Sequence, residues 1–550
     1  MLLHKAFRKT LTPAFVAFHR QNLKKFELQA KNFRAIQNKI LEKSLRNVSG
    51  SRFAKDFALS RGLGVDGFRK AFPITTYTDY EAYIEQLKLG DNSALFAKDV
   101  RPIFFGLTSG TTNASKFIPL LKSSLKDYKR DWLTWASALA IDHPELAQAS
   151  VVNLASPCVD FKTASGVPCG NVSGLILRHI YQWTKYMSVV NPAILEISDD
   201  YKRYYLIARL ALARDDIKTF TTANPSTLIQ FAKFLQTNRE ALIRDVKDGT
   251  LLNSLEYPNS LLEKLRYPLR ASNKSWVKHL ESSTFLPKDI WGDIPLLAVW
   301  TGGSLASYLP CLSKYYGSSS LRDPGLTATE ARMSIPLKDS CSAGVLAFQT
   351  NYLEFYPSGE KTNILLPEQL EVGAEYNILI TSKNGLFRYD IGDVVVCREF
   401  WRGLPVIEFL NKGESIGNIT GEKLSAYQVD QAVLSLSQQY DLHLESYLFA
   451  PSWGDPPGYQ LFLEQDQADK LSRVQMDYLD NQLSVLNIEY QSKRKSGRLA
   501  MLDLKTVPQG TLQKFYESRP RSLGSNAEQL KPQRILKNVS ETEDFLTWAR

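Results

Sequence analysis

The chain has 550 residues, 44% of them hydrophobic and 23% charged, with a formal net charge of +10. It is globular, long enough for roughly three to four structural units, and no stretch approaches the ~18 uncharged apolar residues of a membrane helix. Five scattered cysteines (Cys158, Cys169, Cys311, Cys341, Cys397) without a CxxC argue for a reducing, cytoplasmic compartment and against a disulfide framework or zinc site. The histidines form no HExxH or HxxxH. The basic N-terminus lacks a long apolar core and a cleavage site, so it does not read as a signal peptide. The positive charge would suit nucleic acid, an acidic membrane surface or anionic small substrates. The densest run, Lys493-Arg494-Lys495, has no interleaved aromatics and reads as a solvated face.

Residues 1 to about 95 read as helical. Phe33, Ile36 and Ile40 share a face, and Pro73 interrupts the pattern. Thr78 and Glu81 have capping-box spacing for a helix burying Tyr80, Tyr83, Ile84 and Leu87. Residues 104–120, FFGLTSGTTNASKFIPL, predict strand, loop, strand. Leu125, Tyr128, Trp132, Trp135 and Leu139 then step by three and four. They predict an amphipathic helix with Asp127, Lys129, Arg130 and Asp131 off its apolar stripe. Val151 to Ala155 predicts a strand, and SGVPCGNVSG (165–174) a loop. Asn224 and Pro225 supply the N-cap and first position of a helix bearing Leu228, Phe231 and Leu235.

From about residue 290 strands dominate, at 296–300, 345–357, 376–381, 385–397 and 405–410. A polar, Gly-rich segment, NKGESIGNITG (411–421), follows. The tail reads as helix (427–440), strands (444–449, 459–463), helix (467–486), strand (501–507) and helix (511–516). The expected fold is α/β. A large N-terminal domain with mixed sheets and helices spans 1–411, a hinge 412–421 and a small C-terminal α/β domain 422–550.

Three stretches carry chemistry. The first is the loop Thr108-Ser109-Gly110-Thr111-Thr112, followed by Lys116. Gly110 permits the positive φ that lets successive N–H groups converge on an anion, hydroxyls add donors and Lys116 adds a charge. The order is neither a Walker P-loop nor a Rossmann fingerprint, and a plain Ser/Thr-rich hairpin turn is the alternative. The second is Thr327-Ala328-Thr329-Glu330, a hydroxyl beside a carboxylate, which suits phosphate and magnesium or else a surface turn. The third is Phe387-Arg388-Tyr389-Asp390-Ile391-Gly392-Asp393, where Asp393 could accept the vicinal hydroxyls of a ribose, or serve the turn.

In this order the three stretches resemble the adenylate-forming superfamily, whose phosphate loop the first one matches in composition. In detail they resemble the auxin-responsive Gretchen Hagen acyl-acid amido synthetases. VGAEYNILITSKNGLFRYDIGDVV, PVIEFL, GEKL (421–424), LEFYP (353–357), LDNQL with NIEYQSKR, and LKPQR (530–534) carry the resemblance, which spans nearly the whole chain. PGLTATEARMSIPL looks more like bacterial members than plant ones. The chain departs from the branch at Leu326, where plant members have an adenine-stacking Tyr. It also has Asn411-Lys412 where an Arg is frequent, and a Pro directly after Lys531.

The resemblance implies two half-reactions. A carboxylate attacks the α-phosphorus of ATP, giving an acyl-adenylate and pyrophosphate, and an amine, usually an amino acid, then takes the acyl group and releases AMP. Ser109, Gly110, Thr111, Thr112, Lys116 and Thr329 would hold the phosphates, Glu330 a magnesium ion, and Asp393 the ribose, with Arg388 and Tyr389 ordering that region. Lys531 would assist adenylation, with Lys423 as rival, and the small C-terminal domain would be mobile about the hinge. The acid pocket would draw on 151–180, with Val167, Pro168 and Leu175 as an apolar wall, and on Thr301 to Ser307. An acyl-CoA ligase, a nucleotide-binding relative without catalysis and, on charge alone, a nucleic-acid binder are the alternatives; the favoured partners are small molecules, not nucleic acid or membrane.

Overall fold

The computed structural model describes residues 2–549 except 61, 109–115, 253–254, 303–308, 359, 413–415, 418, 421, 423, 496, 498 and 519–532. The N-terminal region is helical as expected, with helices Leu2–Ala30, Phe33–Val48, Arg52–Asp56, Gly64–Ala71 and Thr78–Leu89. The last of these buries Tyr80, Ile84 and Leu87, but the capping box does not form. Thr78 sits inside the first turn rather than at the cap; Asp79 instead accepts the Thr76 N–H at 2.7 Å.

Three sheets build the region up to Lys412. The first runs in the order Lys116–Leu120, Phe104–Thr108, Pro168–Gly170, Phe161–Lys162. The second is parallel: Ser150–Asn153, Ile217–Thr221, Leu296–Ala298, Ser320–Arg322. Its strands are short, and helices such as Asp200–Leu212 and Pro225–Thr237 pack with its buried core. The third is antiparallel and six-stranded: Tyr352–Pro357, Glu375–Thr381, Tyr389–Trp401, Leu404–Lys412, Gly344–Leu346, Ser334–Ile335. A short ladder, Ile416–Gly417 with Leu424–Ser425, leads to a last sheet of Tyr447–Ser452, Gly458–Glu464 and Asp503–Val507.

Several expected elements differ. The strand expected over 345–357 is two, Gly344–Leu346 and Tyr352–Pro357. Between them Thr350 and Asn351 leave the ladder, bonding to Asp131 Oδ2 at 2.8 Å and to the Arg332 carbonyl at 3.1 Å. The expected loop 165–174 holds strand Pro168–Gly170 and the start of helix Val172–Thr184. Its glycines serve close packing, since a Cβ on Gly170 would lie 2.2 Å from the Cys158 carbonyl oxygen. In the tail the first strand lies at Tyr447–Ser452, three residues later than expected, and the 467–486 helix is broken into Gln465–Ala468 and Arg473–Leu486. Lys493-Arg494-Lys495 ends a helix, Ile488–Lys495, and a further helix, Val539–Ala549, closes the chain.

Two buried polar knots hold the tail. Glu422 accepts from the Ile419 and Thr420 N–H groups at 2.8 Å each and from the Tyr459 hydroxyl. Burial pushes its carboxyl up, but these bonds outweigh burial and hold it below the usual range. Asp430 takes the Tyr447 hydroxyl at 2.5 Å and lies 3.5 Å from the Arg534 guanidinium, which stacks 4.0 Å over the Tyr447 ring.

Candidate adenylation site

The hairpin Phe104–Thr108 with Lys116–Leu120 pairs Thr108 opposite Lys116, so it brings the two ends of the expected phosphate loop together. Ser109, Gly110, Thr111 and Thr112 themselves lie outside the described residues, as do Lys423 and Lys531. Lys116 is half-buried, with Nζ 5.7 Å from the centre of the Tyr77 ring, and the Tyr77 hydroxyl accepts the Phe117 N–H at 2.8 Å.

The second stretch packs directly on this hairpin. A Cβ on Gly106 would lie 2.4 Å from Thr329 Cγ2 and 2.8 Å from Val172 Cγ2. Only a hydrogen fits there. Thr327 bridges Arg332 and the Ala328 N–H reaches the Ala331 carbonyl at 2.8 Å, so Thr329 and Glu330 form the tip of a tight turn. Asp323 fixes its base by accepting the Thr301 N–H at 2.6 Å and the Gly325 N–H at 2.7 Å. Burial pushes the Asp323 carboxyl up to about 6 even against those bonds. Leu326 is half-buried and packs with the core of the six-stranded sheet.

The third stretch enters its strand through Arg388, a non-glycine residue at φ 42°. Such left-handed backbone costs of order 1–3 kcal/mol and persists only where neighbours over-determine it. Here Glu354 accepts from Nε and Nη2 at 2.8 and 2.9 Å, and the Phe72 carbonyl accepts from Nη1 at 2.6 Å. The guanidinium is thus committed to the fold. Thr75 straddles the same turn, donating to the Arg388 carbonyl at 3.0 Å and accepting from the Asp390 N–H at 2.8 Å. Tyr389 is buried, and burial first, then the nearby Glu330 charge, push its phenol far up. Asp390 serves the turn, accepting from Gly392 N–H at 2.9 Å and Tyr356 hydroxyl at 2.7 Å. Asp393 follows the positive-φ Gly392, buried and opposite Lys412 in the ladder.

The helix after the hairpin, Lys122–Asp142, overturns one expectation: Asp127 and Asp131 are buried, not off its packed face. They are tolerated because cations meet them. Lys383 pairs with Asp127, and Arg332 lies close enough to pull on Asp131. Burial nevertheless pushes the Asp131 carboxyl up to about 7 and the Arg332 guanidinium down to about 10. Both carboxylates line a polar cavity of about 20 Å³, room for one water, shared with Tyr128, Glu330, Thr350 and Lys383.

Gly106 and Thr75 escaped the sequence reading, and Tyr128 was read only as core. A glycine inside an apolar strand is a signal of close backbone approach. Ser124, Asp127, Asp131 and Thr134 also step by three and four, a second periodicity beside the apolar one. Nothing local marks Thr75.

Among the described residues no group of three or more His, Cys, Asp or Glu could hold a metal by itself. A single carboxylate such as Glu330 suits magnesium where phosphate oxygens supply the other ligands. Among the described residues no helix is long and apolar enough to cross a membrane.

Model domains of the GH3 family match most of the chain: its N-terminal domain residues 22–321, its central domain 344–412 and its C-terminal domain 427–540. Indole-3-acetic acid-amido synthetase GH3.4 of Arabidopsis thaliana is 23% identical over 547 residues, covering 94% of this chain and 91% of the relative. Jasmonoyl-L-amino acid synthetase JAR6 of Nicotiana attenuata is 23% identical over 533 residues, with 90% of each covered. The solved structure of AtGH3.15 acyl acid amido synthetase in complex with 2,4-DB superposes with a TM-score of 0.83 at 21% identity, covering 96% of both chains. That likeness is one of fold, the adenylate-forming α/β fold with a large N-terminal and a smaller C-terminal domain.

Proposed function

Because the chain belongs to the GH3 family, we propose that it is an ATP-dependent acyl-acid amido synthetase, a ligase that activates a small carboxylic acid and joins it to an amino acid. The observation that carries this reading is the packing of Gly106 on Thr329, which sets the loop-bearing hairpin against the Thr329–Glu330 tip, beside Tyr389. In the first half-reaction a carboxylate oxygen of the acid bonds to the α-phosphorus and pyrophosphate leaves. In the second, the amine nitrogen bonds to the acyl carbon and loses a proton, and AMP leaves.

Ser109, Gly110, Thr111 and Thr112 bind the phosphates with Lys116 and Thr329. Asp393 takes the ribose hydroxyls. Arg388 and Tyr389 hold the turn that presents Asp393, a role the commitment of Arg388 to Glu354 supports. Glu330 holds magnesium, which supplies neutralisation of developing charge when bound. Lys531, or Lys423 in its place, stabilises the adenylation transition state, with the C-terminal domain turning about 412–421 between half-reactions. A donor of that kind is worth about 10²–10³ in rate. The five unpaired cysteines, four of them buried, suit a cytoplasmic setting.

ATP–pyrophosphate exchange tests the reading. The acids offered are those named for the relatives, indole-3-acetic acid, jasmonic acid and 2,4-DB, with aliphatic and benzoic acids beside them. Acid-dependent exchange, with AMP release accelerated by amino acids, is expected. Acceleration by coenzyme A alone makes the chain a thioester ligase. Binding of ATP without exchange for any acid makes it a nucleotide-binding relative.

A further inference from the structure

The helix Lys122–Asp142 buries a polar face where an amphipathic helix would ordinarily bury aliphatic side chains: Ser124, Asp127, Tyr128 and Asp131. Burying carboxylates costs free energy that aliphatic packing would not, so the face is there to specify positions. Asp131 takes the Thr350 hydroxyl at 2.8 Å, and the other three reach two further segments. Tyr128 donates to the Thr329 carbonyl at 3.2 Å, one peptide from Glu330. Asp127 pairs with Lys383, and the adjoining Asn384 accepts the Leu121 N–H at 3.1 Å and the Ser124 hydroxyl. Lys383 and Asn384 open the turn that runs into Phe387–Asp393. The helix itself follows directly on the Lys116–Leu120 strand.

We propose that Tyr128 and Asp127 are positioning residues of the nucleotide site, Tyr128 setting the Thr329–Glu330 tip and Asp127 setting the 383–393 turn against one rigid helix. The inference rests on reading 329–330 as the magnesium and phosphate contact and 388–393 as the ribose contact. The two residues therefore have different signatures. Tyr128 bonds the peptide that leads into Glu330, so its loss is felt most with magnesium bound, whereas Asp127 acts on both forms alike.

The test is calorimetric titration of the full chain with ATP, once with magnesium and once with EDTA. Tyr128→Phe is expected to weaken MgATP about three- to tenfold, the span of one lost hydrogen bond, and to leave metal-free ATP within about twofold. Asp127→Asn is expected to weaken both forms together. Since that variant leaves Lys383 buried without its carboxylate, the double variant Asp127→Asn/Lys383→Met removes both charges. It is expected to regain thermal stability without regaining ATP affinity. Tyr205→Phe, which loses a 2.7 Å bond to Asp245 in the separate core beneath the parallel sheet, controls for stability alone and is expected to change neither titration. Wild-type affinities in both variants, or losses in both arms that track the melting temperature, overturn the proposal. If Glu330→Gln lowers the magnesium dependence and Tyr128→Phe does not, the positioning role alone falls. If Glu330→Gln leaves that dependence intact, the metal reading of Glu330 falls and takes the Tyr128 role with it.

Discussion

Replacing Gly106 by alanine adds one methyl group at the junction of hairpin and tip. In the structure that methyl would stand 2.4 Å from Thr329 Cγ2 and 2.8 Å from Val172 Cγ2. Carbon atoms pack at about 3.5–4.0 Å, so hairpin and tip must part by about 1 Å. Overpacking of this kind costs about 1–3 kcal/mol in stability, and about 1 Å of misplacement at a site can cost on the order of 10²-fold in rate. Gly106→Ala is therefore expected to slow pyrophosphate exchange far more than it lowers the melting temperature. Thr329→Ser removes the nearer methyl and Val172→Ala the other, so the triple variant is expected to recover much of the loss. Exchange by Gly106→Ala within about twofold of wild type would refute the packing argument, and so would failure of the relieving substitutions to help.

Arg388→Ala leaves buried Glu354 with Arg69, 3.5 Å away, as its remaining cation and is expected to cost about 3 kcal/mol, the low end for a broken buried pair, read from the urea midpoint, whereas Arg388→Lys recovers only part because it cannot bond bidentately. In the C-terminal region two buried carboxylates respond oppositely to pH. Burial, opposed by Arg534, raises Asp430 to about 6; its protonated form is favoured by folding, so stability is lost as pH climbs from about 4 to 6. The melting temperature of Asp430→Asn is expected to gain on wild type over that interval. Glu422, held low by its donors, contributes stability that is lost as pH falls through its folded value, so Glu422→Gln is expected to lose most above pH 5. Limited proteolysis across a pH series checks both.

The order of the chemistry-bearing stretches and the type of most elements were legible because each rests on local pattern: alternation, three-and-four spacing, turn residues. What the sequence hid was tertiary. Asp127 and Asp131 look solvent-facing until Lys383 and Arg332 arrive from segments about 200 residues or more away. The break in the 345–357 strand comes from Thr350 and Asn351 seeking partners outside their own ladder. The capping box at Thr78 failed because the Asp79 carboxylate caps the preceding turn instead. Lys116, Thr329, Glu330, Tyr389 and Asp393 stood out in the sequence as candidates, but the close approach of Gly106 to Thr329 needed coordinates.

The bond between the Thr75 hydroxyl and the Phe387 carbonyl spans 312 residues. On a ribosome adding about 5–20 residues each second, Phe387 arrives some 15–60 s after Thr75. During that interval Phe53, Phe68 and Phe72, whose rings later lie 5.8–6.1 Å from that of Phe387, have no such cover. A chain truncated before residue 387 is expected to expose the faces of these rings that Phe387 covers, and so to be more prone to aggregate.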